Sequence, residues 1–308
     1  LLKPENYFSD FFTIGLAKRR YMPILATRGC PYQCTFCSSP TMWTTRYIMR
    51  DPKEIVDEIE WLIEEYKAND FEFFDLTAII KKQWILEFCD ELKKRKINDI
   101  TWQLPVGTRS ESLDEETLQA LYDTGCSYIC YAPESGSEKS LNMIKKRIKI
   151  DRLIKSIKTA AKIGHTTKLN FILGFPHETL TDCLKTVFFG AYCALKFGIY
   201  DVQYGIFTPY PGSDIYNECK EKGIIEGDFD LVLYNHQSPL NCFTKNIPKE
   251  RFYELRQKAF KFVDSYNSKA KFRRGISSLY NLGLRITWRR VYRHFYSKFL
   301  NHTIAKSN

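Results

Sequence analysis

The sequence has no long apolar run. Hydrophobic residues make up 44% of its 308 positions, yet they come a few at a time, so no transmembrane helix is expected. No charged and apolar export signal opens it, and residue 1 is Leu rather than Met. We therefore expect a fragment whose upstream part lies outside this chain. Internal repeats and low-complexity tracts are missing too. Acidic residues are absent from Ser265 to Asn308, a stretch that holds ten basic ones. The whole chain has 46 Lys+Arg against 36 Asp+Glu, a formal net charge of +10, so residues 1 to 264 are neutral on balance. A body without net charge gives little reason to expect nucleic acid as its partner. Aromatic content of 15% and charged content of 27% exclude a disordered or collagen-like chain.

Ten cysteines are present, and a disulfide scaffold would be shorter, denser in cysteine and exported. A reducing, cytoplasmic setting is the expectation, with most cysteines as small buried hydrophobes. The rest of the chain alternates strand-like and helix-like segments from about residue 22 to 225. Strands are read at 24–27, 71–76, 100–104, 127–132, 168–173 and 201–207. Helices are read at 52–66, 84–94, 115–122, 137–144, 152–163 and 180–197. Such alternation predicts an α/β fold with a parallel sheet, here a partial (β/α)6 TIM-type barrel with a C-terminal helical extension. The expected divisions are a linker at 1–20, the barrel at 21–225, the extension at 226–268 and a basic tail at 269–308.

Cys30, Cys34 and Cys37 stand in Arg-Gly-Cys-Pro-Tyr-Gln-Cys-Thr-Phe-Cys. Three thiolates fall one short of a structural zinc site, and the nearest histidine in sequence is His165. A [4Fe-4S] cluster held by three cysteines would leave one iron open. Zinc or a chance cluster is the competing reading. The spacing, with Phe36 before the last cysteine, resembles the signature of the radical S-adenosylmethionine (SAM) superfamily. The extended motif resembles the branch that often carries an N-terminal cobalamin-binding domain and includes anaerobic magnesium-protoporphyrin monomethyl ester cyclases and radical methylases. This resemblance runs from about Tyr21 to Tyr216. It implies that SAM binds the open iron and is cleaved reductively to a 5′-deoxyadenosyl radical, with flavodoxin or ferredoxin as electron donor and a small molecule as substrate.

The resemblance also points to residues after later strands. Asp75 matches an acid near the SAM amino group, although a strand-end Asp capping the next helix reads equally well. Arg109 could fork onto the SAM carboxylate or a substrate acid, or pair with Glu111 or Asp114. Glu134 and Ser135 match a Glu-Ser-Gly-Ser stretch that contacts SAM; a capping box would account for Ser135 and Glu138 but not for Glu134. Asn170, Ile172 and Gly174 match a motif lining the adenine pocket. Lys145, Lys146, Arg147 and Lys149 are near where the family places a SAM-carboxylate cation, but a basic run of this kind reads as a solvated helix end. His177 is either a proton donor, a substrate contact or a bonded loop histidine. Thr208 to Ser213 reads as a rigid turn into a helix.

In the tail, aromatic and basic residues alternate at helical spacing between Leu284 and Phe299. That pattern suits peripheral contact with an inner membrane surface, or packing on the barrel. Function is expected to be radical SAM chemistry on a small, hydrophobic or lipid-like metabolite: methylation, cyclisation or rearrangement. The alternatives are a radical SAM RNA-modifying enzyme, for which no β-rich RNA-binding segment follows the barrel, and a non-enzymatic iron–sulfur or zinc protein. No histidine sits in an Asp-x-His-x-x-Gly motif, so any cobalamin would be held by an upstream domain.

Overall fold

A computed structural model describes Lys3, residues 20–225 and residues 241–282. The elements in chain order are β1 (Tyr21–Ile24), β2 (Thr27–Arg28), α1 (Ser39–Trp43), β3 (Ile48–Met49), α2 (Pro52–Tyr66), β4 (Asp70–Phe73), α3 (Lys82–Lys94), β5 (Thr101–Thr108), α4 (Glu115–Asp123), β6 (Cys126–Glu134), α5 (Glu138–Met143), α6 (Ile150–Ile163), β7 (Thr166–Leu173), α7 (Leu180–Phe197), β8 (Asp201–Ile206), α8 (Asp214–Glu221) and α9 (Lys249–Leu282). Six strands form one sheet in the order β1-β4-β5-β6-β7-β8, every neighbouring pair parallel. This is the expected partial TIM-type barrel, with helices carrying the crossovers. Among the described residues no helix is long and apolar enough to cross a membrane.

Local chemistry fixes the element ends. The Asp51 carboxylate accepts from the Lys53 amide at 2.9 Å, and Pro52 follows at the first helical position of α2. Ile55, Val56, Ile59 and Leu62 then fall on one buried face. In α7 the Thr179 hydroxyl and the Asp182 carboxylate form a reciprocal capping box. Along β4, Phe71 and Phe73 face the helices, where Phe73, Phe88 and Trp102 pack with centroids 5.2 to 5.5 Å apart. The alternate residues Asp70 and Glu72 lie on the opposite, inner face. There Asp70 accepts from the Thr101 hydroxyl and from the Gln103 amide, each at 2.8 Å.

Two strand readings change at the ends near the cysteines. The segment 24–27 is divided: β1 stops at Ile24, and Thr27-Arg28 leaves the sheet to pair antiparallel with β3. The strand at 71–76 stops at Phe73. Both corrections share a cause, since the Asp75 carboxylate takes the amides of Ala26 and Thr27 that a sheet partner would otherwise use. In the expected helical extension, α9 begins at Lys249 and continues to Leu282. Two compact units divide the chain between Phe260 and Lys261. In the second, the Phe262 and Tyr266 rings stack at 6.1 Å. The amphipathic tail reading at 284–299 lies outside the described residues.

Candidate active site

The strands of a parallel sheet deliver their loops to one end, and the cysteine loop is fastened there from several directions. At its entrance both oxygens of the buried Asp75 carboxylate are engaged, by the Ala26 amide and by the Thr27 amide and hydroxyl. Burial raises the Asp75 pKa, and the Thr27 and Ala26 hydrogen bonds oppose that rise. Gly29 turns the chain at φ +81°, and a Cβ there would overlap the Arg46 carbonyl oxygen. Midway, the Arg109 guanidinium lies 3.8 Å over the Tyr32 ring, donates to the Lys146 carbonyl at 2.8 Å and pairs with Glu111. At the exit, the Thr35 amide donates to the Ile144 carbonyl and the Ile215 amide to the Thr35 carbonyl, each at 3.0 Å.

Cys30, Cys34 and Cys37 are free thiols. Burial pushes the Cys30 and Cys34 thiols up; the charge of Cys37 pushes the same way, while Lys146 and Arg109 pull both down. The three sulfurs therefore share one electrostatic neighbourhood with two cations beside it. Among the described residues no three His, Cys, Asp or Glu side chains close on a single metal ion. A four-iron cluster fills a volume of its own between more widely set thiolates, and the donor set suits it.

A cavity of about 230 Å³ opens next to this loop. Phe36, Glu134, Asn170 and Ile172 line it, joined by Gln203, Phe207 and Tyr210. Glu134 ends β6 with φ +66°, where the β6–β7 register shifts, and its carboxylate accepts from Lys146 Nζ at 2.9 Å. Lys146 is buried, so the solvated-end reading of the basic run is corrected at this residue. Lys145 and Arg147 on either side both adopt φ +52°. Asn170 donates from Nδ2 to Cys130 Sγ at 3.2 Å, and its buried Oδ1 has no partner among the described residues.

The other residues singled out from the sequence sit elsewhere. Ser135 is fully buried against the Thr186 hydroxyl, at 2.9 Å, and does not line the cavity. Gly174 adopts φ +89° and faces the Phe252 ring of α9. Its amide donates to Glu178 Oε2 at 2.8 Å. That buried carboxylate also accepts from the Phe175 amide, the Ser140 hydroxyl and the Cys183 thiol, so it braces the turn after β7. The His177 ring stacks on Phe175 at 5.8 Å, and burial lowers its pKa. Ser213 caps α8 by accepting from the Tyr216 amide.

The sequence profile of the Radical SAM superfamily matches residues 24–190. The chain belongs to the radical SAM superfamily. Enzymes of this superfamily use a [4Fe-4S] cluster and SAM. One relative, the anaerobic magnesium-protoporphyrin IX monomethyl ester cyclase of Rubrivivax gelatinosus, is 29% identical over 76% of this chain and 40% of its own length. An uncharacterised methyltransferase of Pyrococcus horikoshii is 30% identical over 70% of this chain and 44% of its own. This radical SAM chain thus spans less than half of either relative. Among solved structures, the cobalamin-dependent SAM radical enzyme OxsB, with aqua-cobalamin and SAM bound, has the same fold. It matches with a TM-score of 0.62 at 15% identity, over 90% of this chain and 45% of its own.

Proposed function

We propose that this chain is the radical-generating part of a methyltransferase or cyclase acting on a small, hydrophobic or lipid-like metabolite. One observation carries the reading: Phe36, Glu134, Asn170 and Ile172, from three separate segments, meet at one cavity beside three free thiols. Cys30, Cys34 and Cys37 would hold the [4Fe-4S] cluster on three of its irons. When bound, the cluster and SAM supply a 5′-deoxyadenosyl radical able to take hydrogen from an unactivated carbon. The protein's own groups do the positioning. Glu134 offers carboxylate lone pairs to ammonium or hydroxyl donors, and Lys146 fixes that carboxylate. Asn170 lines the cavity and carries a buried Oδ1 without a hydrogen-bond partner among the described residues. Phe36 and Ile172 provide apolar walls that keep water from a reactive radical.

The apolar lining and the cyclase and methyltransferase relatives support the substrate class. Cobalamin, where used, would be bound by a part of the protein outside this chain. A flavodoxin or ferredoxin would supply the electron. Anaerobic reconstitution with iron, sulfide, SAM and dithionite tests the reading. 5′-Deoxyadenosine is expected from the wild type and none from Cys34→Ala; a Cys34→Ala protein that still cleaves SAM sinks it. S-adenosylhomocysteine accompanying product identifies methyl transfer over cyclisation.

A further inference from the structure

We propose that the outer face of α6 and α7 seats the protein on an anionic lipid surface. Its apolar part comes from α7. Phe188, Tyr192 and Leu195 are 68%, 50% and 71% exposed. Their spacing puts them on one side of the helix, over about 10 Å of its length. The opposite side is already anchored in the fold. Cys183, Thr186, Gly190 and Cys193 are buried, and a Cβ at Gly190 would overlap the Tyr204 hydroxyl. α7 therefore carries a complete core face and a second apolar stripe that faces outward, which marks a contact surface.

Charge selects the occupant. Lys185 and Lys196 flank the stripe and are exposed. α6 packs against α7 and presents Arg152, Lys155, Lys158 and Lys162, all exposed and on one side. None of these six cations forms a salt bridge among the described residues. The neighbouring acids are mostly engaged. Glu178 and Asp182 are buried in hydrogen bonds, and Asp201 pairs with Lys168 at 3.4 Å. On α4, which packs on the far side of α6, Lys82 holds Asp114 and Glu116, and Lys93 holds Asp123. The exposed acids left are Glu115, Glu138 and Asp151, each in the first turn of its helix, so the rest of the face is positive.

A second copy set face to face would oppose cation to cation. Five of the six charges are lysines, a residue depleted from protein–protein interfaces. Lysine stems beside exposed Phe, Tyr and Leu instead suit the headgroup level of an anionic lipid layer. Among the described residues no helix is long and apolar enough to cross a membrane, so the contact is peripheral. The face also lies apart from the cavity, which none of these residues line, and the inference holds whether or not the chain cleaves SAM.

Cosedimentation of the full chain with vesicles tests the surface. Wild type is expected to bind phosphatidylcholine vesicles that contain phosphatidylglycerol, less so as salt rises, and to bind phosphatidylcholine alone far more weakly. Phe188→Ser/Leu195→Ser and Lys155→Glu/Lys158→Glu should each bind about tenfold more weakly. Phe188→Leu/Leu195→Phe should keep most of the affinity. Far-ultraviolet circular dichroism and iron content should match wild type in all three, and the charge pair carries the test if the apolar pair disturbs the fold. The basic stretch from Ser265 is intact in every variant, so unchanged affinity in Lys155→Glu/Lys158→Glu would give the contact to that stretch and overturn the proposal. A wild type that ignores anionic vesicles overturns it too, as does a wild-type dimer that Phe188→Ser/Leu195→Ser dissolves, which would give the face to a second copy. A wild type that binds vesicles but never cleaves SAM would sink the enzymatic reading and leave this one standing.

Discussion

Lys146 and Glu134 are the pair on which the site turns. Both are buried, and among the described residues neither has another charge partner as close. Removing one leaves the other charged and desolvated, which costs about 3 kcal/mol or more. Lys146→Met is therefore expected to lower the denaturant midpoint and to cut 5′-deoxyadenosine formation at least a hundredfold. Lys146→Arg should recover most of the stability. Glu134 was legible, because its Glu-Ser-Gly-Ser context is distinctive. Lys146 was not, because a Lys-Lys-Arg run is ordinarily a solvated helix end. What buries it is a pair of left-handed residues, Lys145 and Arg147, and nothing in two long basic side chains announces that conformation. Ser135 shows the converse: it shares the motif with Glu134, but the chain turns its hydroxyl toward Thr186.

At the level of the element, the cysteine loop is a structure held by others. Its spacing was plain in the sequence, but its fastenings were not. Asp75 latches residues nearly fifty positions earlier, and Arg109 reaches Tyr32 through a ring-face contact. Such partners are set by sheet topology and leave no local pattern. Asp75→Asn keeps shape but cannot accept from three donors with both atoms. We expect unchanged far-ultraviolet circular dichroism and at least a twofold loss of iron retained after reconstitution. Gly29→Ala forces a side chain into the left-handed region and against a backbone carbonyl. A loss on the order of 2 kcal/mol in chemical unfolding, with poorer iron retention, is the expected result. Wild-type values in either variant would remove the latch from the account.

For the molecule as a whole, the α/β alternation gave away the sheet, since apolar strands and amphipathic helices follow one another with little interruption. It did not give away which strand residues face inward. Glu72 is 1% exposed, its Oε1 lacks a partner among the described residues, and burial followed by the charge of Asp70 raises its pKa to about 7. A carboxyl whose pKa is raised on folding favours the folded state most below its ordinary value near 4.5, and that advantage is lost as pH rises through about 7. Glu72→Gln removes the titration. The variant should gain on wild type between pH 5 and pH 8 by on the order of 2 kcal/mol. A stability difference that stays flat with pH, followed by urea unfolding, would show Glu72 to be solvated.

The fastenings of the cysteine loop also set an order of assembly. The loop occupies the first part of the barrel, yet its holders are Asp75, Arg109, Ile144 and Ile215, the last lying beyond the sixth strand of the sheet. During synthesis the thiols emerge early and stay loosely placed until nearly the whole barrel has been made. Cluster insertion is thereby timed to the end of folding, and a truncated or misfolded barrel presents three cysteines without the frame that would retain iron.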